Sequence, residues 1–418
     1  MKKFLISSIL VFTACSLLSG QTNNNKVYWV HGFNDNSTTW NTYKQALVPA
    51  ANQGTSIGWR SELSLVNAAN DLNLWINWEV APSKKAIVFG HSAGGLVARK
   101  AAQSNSKIQA VITAGTPNQG AGIVTVLKNR ALNNVAETAI FKVQASLALG
   151  TQAVGSLLPG IGNAIASLIS LSFNIAGEVG KALADNYIED LKKIYSTPAA
   201  EDMNPDIAKN AFLKNLNSTA SSTPIINIYG NEDDNRLVRL AGTAFNKKYN
   251  DTNTTDQCYD ETLFPYYNGA LATCATFEAL HYSAGTATAV LGFFCCPYYF
   301  AASALNFSAA ASWTASRRFV QYDVHNEWDS IIGAVHTDRI ENWHKFLWWT
   351  WCDVEYVTVY ENSDGFIPNK SSIMTGTNVQ NVEVLGVNHL EMNSHTKMRE
   401  QLHGILNGGT RGNAFSYK

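Results

Sequence analysis

The chain is predicted to be an α/β protein with a mostly parallel sheet covered by helices on both faces. Three observations predict this. Short runs of strand character recur at 26–31, 85–90, 108–113, 224–229, 354–360 and 381–387. Helix-forming stretches at 65–77, 93–104 and 398–406 separate several of them, an alternation that favours parallel crossovers over hairpins. Between Lys85 and Ala102 the chain reads strand, glycine-rich turn and helix in immediate succession.

The first strand, Lys26-Val27-Tyr28-Trp29-Val30, ends in His31-Gly32-Phe33-Asn34. Glycine there lets the backbone turn with its N–H groups pointing outward. Acyl transfer places negative charge on a former carbonyl oxygen, and two preorganised N–H donors lower that barrier. Phe33 and Ala93 are the candidate donors. An ordinary strand-end turn is the plainer reading of the same residues.

The second strand, Lys85-Ala86-Ile87-Val88-Phe89, leads into Gly90-His91-Ser92-Ala93-Gly94 and then a helix. A G-x-S-x-G match by itself is weak, and its flanks give it weight. A sharp strand-to-helix turn lifts the serine oxygen above the sheet, and the flanking glycines relieve the crowded backbone.

Near the C-terminus Val354-Glu355-Tyr356-Val357-Thr358-Val359-Tyr360 reads as a strand running into Glu361-Asn362-Ser363-Asp364-Gly365-Phe366-Ile367-Pro368. A carboxylate on that turn is placed to orient an imidazole and stabilise it once protonated. Val382 to Val387 is a further strand, and its loop carries His389. The order serine, acid, histidine suits a nucleophilic triad.

With these residues in view, the chain resembles the secreted lipases and esterases of the α/β-hydrolase fold. Four signatures match in order: His31-Gly32-Phe33, the GHSAG elbow, SDGFIP around Asp364 and VNHLE around His389. A fifth, Gly115-Thr116-Pro117-Asn118-Gln119-Gly120, is similar to the GTPHxG turn of many lipases, with Asn118 where histidine is usual. The resemblance covers residues 26–120, 223–232 and 352–406. It implies Ser92 as nucleophile, His389 as general base and acid, Asp364 as its partner, and Phe33 and Ala93 as oxyanion amides. No cofactor or metal is implied.

Competitors exist for two roles. Asp233 follows the strand at 224–229 at a position where many such hydrolases keep their acid. Asp364 is favoured because its turn matches the lipase pattern better and lies 25 residues before His389. His395 and His403 fall in a segment that reads as helix, which favours His389 as the base. The His91 ring is expected to point away from the Ser92 hydroxyl and to serve packing.

Composition fits an exported enzyme. The 418 residues are 46% hydrophobic with a net charge of −1, which gives no electrostatic reason to expect nucleic acid. Residues 1–20 read as a signal peptide: Lys2 and Lys3, an apolar stretch too short to span a bilayer, then small residues. Cys15 in Phe12-Thr13-Ala14-Cys15 is a candidate lipid anchor, and cleavage near Gly20-Gln21 would instead release the chain. The expected location is the periplasm, the cell envelope or the exterior. Five further cysteines allow two bridges and one free thiol. The expected pairs are Cys258 with Cys274, and Cys352 with Cys295 or Cys296.

The core is expected at 21–120, 216–232 and 351–418, with insertions at 121–215 and 233–350. Gln144 to Gly177 carries no charged side chain, and its apolar spacing suits a one-faced helix, either a mobile lid or a fixed cap. In the second insertion, Ala279 to Ser316 holds no Asp, Glu, Lys or Arg. Its aromatics suit the core of a cap subdomain better than an acyl pocket. Asp323, His325, Glu327, Asp329, His336 and Asp338 read as a solvated loop in preference to a metal site, since their spacing fits no fixed pattern. Trp343, Phe346, Trp348, Trp349 and Trp351 are expected to anchor a cap to its domain in preference to stacking on a sugar.

The expected function is hydrolysis of carboxylic esters with apolar acyl chains, the partner being an ester or lipid at a lipid–water interface. The alternatives are an acyltransferase using the same three residues and a non-catalytic lipid-binding protein on the same scaffold.

Overall fold

In the computed structural model, residues 24–33, 35–128, 197–219, 221–232, 239, 240, 243, 264–294, 298–318, 321, 322, 324–346, 348–407 and 412–418 are described. The leader with Cys15, most of the first insertion, Asp233, Cys258, Cys295, Cys296 and Asp323 lie outside them. The chain divides into two compact units. The first holds residues up to 124, 194–231 and 369–418, and the second holds 125–193 and 232–368.

The first unit is built on six strands: β1 (Lys26–Val30), β2 (Gln53–Ile57), β3 (Ala86–His91), β4 (Ile108–Ala114), β5 (Ile225–Asn231) and, as the last strand in the chain, β8 (Val379–Leu385). Every neighbouring pair is parallel, in the order β2-β1-β3-β4-β5-β8. Continuous burial explains the unbroken apolar runs of β1 and β3, since a parallel sheet is covered on both faces. The chain starts inside the sheet, crosses outward from β1 to β2, then returns past β1 to β3. Strand order therefore reverses between β1 and β3, and in open parallel sheets ligands bind beyond the carboxyl ends at such a point. Both β1, ending before His31, and β3, ending before Ser92, deliver their loops there.

The helices α1 (Asn41–Leu47), α2 (Leu65–Glu79), α3 (Ala93–Ser104), α4 (Gly122–Lys128), α5 (Pro198–Glu201) and α6 (Ala211–Ser218) precede β5. In α2 the buried residues Leu65, Ala68, Ala69, Leu72 and Ile76 recur at helical spacing. Its first turn is satisfied twice: the Ser64 side chain accepts from Asn67 N, and Asp202 Oδ2 accepts from Leu65 N at 2.8 Å. An aromatic knot of Trp29, Trp40 and Phe89 fills one side of the sheet, with Trp40 and Phe89 edge to face at 4.8 Å.

The second unit contains α7 (Phe264–Phe294), α8 (Tyr298–Arg318), α9 (Val324–Ile332) and an antiparallel hairpin of β6 (Val335–Phe346) and β7 (Trp349–Tyr360). The last two helices, α10 (Asn369–Ser372) and α11 (Thr396–Leu406), return to the first unit.

Four expectations change. The run at 354–360 is a strand, but it pairs with β6 and stands outside the main sheet. Alternation of Tyr356, Thr358 and Tyr360 with Val357 and Val359 marks a strand without naming its neighbour. The strand β2 was not expected, because Gln-Gly-Thr-Ser-Ile is short and polar. Trp343, Trp348, Trp349 and Trp351 are exposed on the β6–β7 hairpin or its turn, in place of the buried packing expected of them. Cys274 and Cys352 are free thiols, so the two bridges expected through them are not formed. Among the described residues no group of three or more His, Cys, Asp or Glu is placed to hold a metal ion.

Candidate active site

The elbow is strained where the serine sits. Among the described residues Ser92 is the one non-glycine residue with positive φ, at 52°. The strain is held from several sides. Ser92 N donates to Ala114 O at 2.8 Å, and Gly95 N to Ser92 O at 3.0 Å. A Cβ on Gly90 would lie 2.3 Å from Gly94 O, and one on Gly94 would lie 2.4 Å from His31 O. Only glycines let the β3 end, the start of α3 and the β1 loop close to this distance.

His389 is brought to the elbow by a braced loop. After β8, Gly386 turns at φ 70° and donates its N–H to Asn231 O at 2.8 Å. Asn388 Oδ1 accepts from the amides of Leu390 and Glu391 at 3.0 and 3.1 Å, while Glu391 Oε2 accepts from Asn388 N at 3.2 Å. Both side chains are buried, which fixes the loop from within. His389 Nε2 then lies 3.1 Å from Ser92 Oγ. A neutral imidazole at this distance can take the hydroxyl proton as the oxygen attacks.

His91 braces the same loop from the elbow side. Its Nε2 is 2.9 Å from His389 O, and the two rings pack at 4.8 Å. The expectation that His91 turns away from the serine and packs is consistent with this geometry.

The oxyanion candidates flank the serine. Ala93 opens α3, where the first amides lack partners inside the helix. On the other side a Cβ on Gly32 would lie 3.1 Å from Ser92 Cβ, so the β1 loop runs directly beside the serine. Phe33 follows it, half-buried, its ring edge to face with Trp59 at 6.4 Å. The loop is pinned where Trp59 Nε1 donates to His31 O at 2.9 Å and the His31 ring stacks on Trp59. Burial holds the His31 pKa below its ordinary value, with the Gly32 carbonyl opposing that shift.

Asp364 belongs to the second unit. It is buried in a tight turn, with Oδ1 accepting from the amides of Phe366 and Ile367 at 3.0 and 2.6 Å. Gly365 supplies the positive φ, at 84°, and its carbonyl accepts from Trp328 Nε1 at 2.7 Å. The expected turn is present around the expected carboxylate.

The other histidines serve elsewhere. His395 caps α11 through Nδ1, which accepts from Lys397 N at 3.1 Å, and His403 is exposed in that helix.

A buried polar network lies below the elbow, and no local sequence pattern announces it. Asn118, where the resemblance expects histidine, donates to Asn227 Oδ1 at 3.0 Å and to Ser372 O at 2.6 Å. Its own oxygen accepts from Arg99 Nη1 at 2.8 Å. Asn227 also accepts from Thr113 and donates to Asn381, tying β4, β5 and β8 together. Burial pulls Arg99 down to about 10. Single polar residues inside apolar strands are its only trace in the sequence.

No protein-family model matches the chain, and no curated protein matches it. Several solved structures are similar to parts of it. Phospholipase PlaB from Legionella pneumophila in complex with thio-NAD is 19% identical, covering 26% of this chain and 29% of that chain with a TM-score of 0.23. The peroxisomal alpha-beta-hydrolase Lpx1 from Saccharomyces cerevisiae is 17% identical over 23% of this chain and 33% of that chain, with a TM-score of 0.18. The epoxide hydrolase of Bacillus megaterium is 12% identical over 51% and 78%, with a TM-score of 0.23. The chain thus spans about a third or less of the first two. The parallel sheet, its reversal between β1 and β3, and the serine elbow at the β3 end define an α/β-hydrolase fold.

Proposed function

We propose that the protein is a serine hydrolase that cleaves carboxylic esters with apolar acyl chains, in the manner of a lipase or long-chain esterase. The observation that carries the reading is the 3.1 Å approach of His389 Nε2 to the oxygen of a strained elbow serine.

In this mechanism His389 Nε2 takes the Ser92 hydroxyl proton as Oγ attacks the ester carbonyl. The tetrahedral oxyanion is held by the amides of Phe33 and Ala93. Collapse breaks the bond to the alcohol oxygen, which leaves with the proton from His389. Water then loses a proton to His389 and attacks the acyl-serine, and the acid leaves as Ser92 Oγ takes that proton back. Asp364 is the carboxylate assigned to orient and stabilise the imidazolium. The apolar-acyl preference is supported by the two uncharged stretches, residues 144–177 and 279–316. Export of the chain, either anchored by lipid at Cys15 or released by cleavage near Gly20-Gln21, belongs to the same proposal.

The test is hydrolysis of a chromogenic ester series from two to sixteen acyl carbons by wild type and Ser92→Ala. Activity that requires Ser92 and is strongest on long chains supports the reading. A Ser92-dependent preference for the shortest chains keeps the mechanism and removes the lipid substrate. Transfer of the acyl group to an added alcohol without hydrolysis assigns an acyltransferase.

A further inference from the structure

We infer that the helical hairpin α7–α8 is a lipid-surface anchor that enters one leaflet of a bilayer tip first. This holds whether or not Ser92 is a nucleophile.

The hairpin is held together by its own interior. His281 Nδ1 meets Asn306 Oδ1 at 3.1 Å, Ser303 Oγ donates to Gly285 O at 2.8 Å, and Phe277 stacks on Trp313 at 5.1 Å. Its one acid on α7, Glu278, pairs with Arg317 near the end of α8 at 3.0 Å. That pair, with exposed Arg318, draws a charged line across the hairpin. Beyond it, from Ala279 to Ser316, there is no Asp, Glu, Lys or Arg. At 1.5 Å per residue this uncharged part of each helix is about 25 Å long.

Its outer surface is apolar on more than one side. Leu280, Tyr282, Val290, Leu291, Phe300 and Leu305 are exposed, and Phe293 near the tip is 78% exposed. At roughly 100° per residue, Leu280 and Leu291 leave α7 on one flank while Tyr282 and Phe293 leave on nearly the opposite one. A second protein chain docked on one flank would leave the other in water. A fluid hydrocarbon covers both.

The hydroxyls are also prepared for an apolar medium. Thr286 and Thr288, within a leaflet's depth of the tip, each donate to the carbonyl four residues earlier, at 2.9 and 2.7 Å. Such groups take no unsatisfied donor into a lipid phase.

Among the described residues no helix is long and apolar enough to cross a membrane. A leaflet holds about 15 Å of hydrocarbon, half of a bilayer core. Insertion to that depth places Val290, Leu291, Phe293 and Phe300 among acyl chains. Tyr282 then sits at headgroup level, where amphipathic rings are favoured, and the Glu278–Arg317 pair with Arg318 stays on the water side.

The experiment is flotation of full-length protein, in the Ser92→Ala and Cys15→Ser background so that the lipid stays intact and no acyl anchor contributes, with phosphatidylcholine vesicles containing phosphatidylglycerol. Phe293→Asp and Leu305→Asp, both at exposed positions, are each expected to lower the bound fraction about tenfold or more. Leu74→Asp, exposed on α2, should leave it unchanged. Circular dichroism and a melting curve show which variants are folded, and either hairpin variant suffices. The proposal is overturned if folded parent protein does not float, or if folded hairpin variants float as the parent does. It is also overturned if those variants convert a dimer to a monomer on gel filtration with flotation retained, since a second copy would then be the occupant. Because binding is read without turnover, its failure leaves the ester-hydrolysis proposal standing, and the reverse.

Discussion

His389 Nε2 stands 3.1 Å from Ser92 Oγ although 297 residues separate the two in the chain. Two sheet positions create this meeting. The elbow ends β3 inside the sheet, while the histidine loop leaves β8 at its edge, and His91 ties the loop back to the elbow through His389 O.

If the pair acts as one unit, Ser92→Ala and His389→Ala each lower kcat by about 10³-fold or more with little change in KM. The double variant should be little worse than either alone. Steady-state kinetics on a soluble ester checks this, and additive losses would separate the two residues.

Asp364 allows a conservative test, because the oxygen that accepts from Phe366 and Ile367 survives in asparagine. Asp364→Asn is expected to keep the melting temperature and to lower kcat by about 10³- to 10⁴-fold, by analogy with triad asparagine variants. Full activity in this variant together with loss in Asp233→Asn would reassign the acid.

Gly94→Ala tests the close approach of the elbow to the β1 loop. Its Cβ would meet the backbone oxygens of His31 and Val30 at 2.4 and 2.5 Å, and backbone cannot swing aside as a side chain can. A loss of about 1–3 kcal/mol in urea unfolding is expected, with a fall in kcat as the β1 loop shifts. A variant as stable and active as wild type would contradict the packing described.

The pH dependence follows from His31, whose folded pKa lies below 6.5 because the ring is buried. As pH falls below 6.5 the unfolded chain binds a proton there that the folded chain does not, so stability declines toward the folded pKa. Above 6.5 the term vanishes. Melting curves between pH 7.5 and pH 5, taken as roughly spanning that window, should fall less steeply for His31→Asn than for wild type. Parallel curves would remove His31 as the cause.

Much of the candidate site was legible because its signals are local. A strand, a G-x-S-x-G turn and a helix stand next to one another in sequence, and the Asp364 and His389 turns carry their own glycine, asparagine and proline. Pairing partners were not legible. The alternation of Val354 to Tyr360 marks a strand, and nothing in it tells the main sheet from a hairpin with Val335 to Phe346. Gln53 to Ile57 escaped notice because backbone pairing with β1, and not apolar side chains, makes it a strand. The roles of Asn118, Asn227 and Arg99 depend on partners 19 to 254 residues away, beyond any local pattern.

That network gives a further expectation. Asn118→Ala would leave the Arg99 guanidinium buried with one side-chain acceptor, Asn217 Oδ1, still bonded at 2.8 Å. A loss of roughly 3 kcal/mol is expected from removing one partner of a buried charge. Chemical unfolding of the folded variant measures it, and a change within about 0.5 kcal/mol would show that water replaces the lost oxygen.

Covalent labelling with a fluorophosphonate, read by intact mass and peptide mapping on natively folded protein, asks whether Ser92 is the nucleophile. A single adduct on the Ser92 peptide is expected, abolished in Ser92→Ala and strongly slowed in His389→Ala. Folded wild-type protein that takes no label at Ser92 would contradict that role.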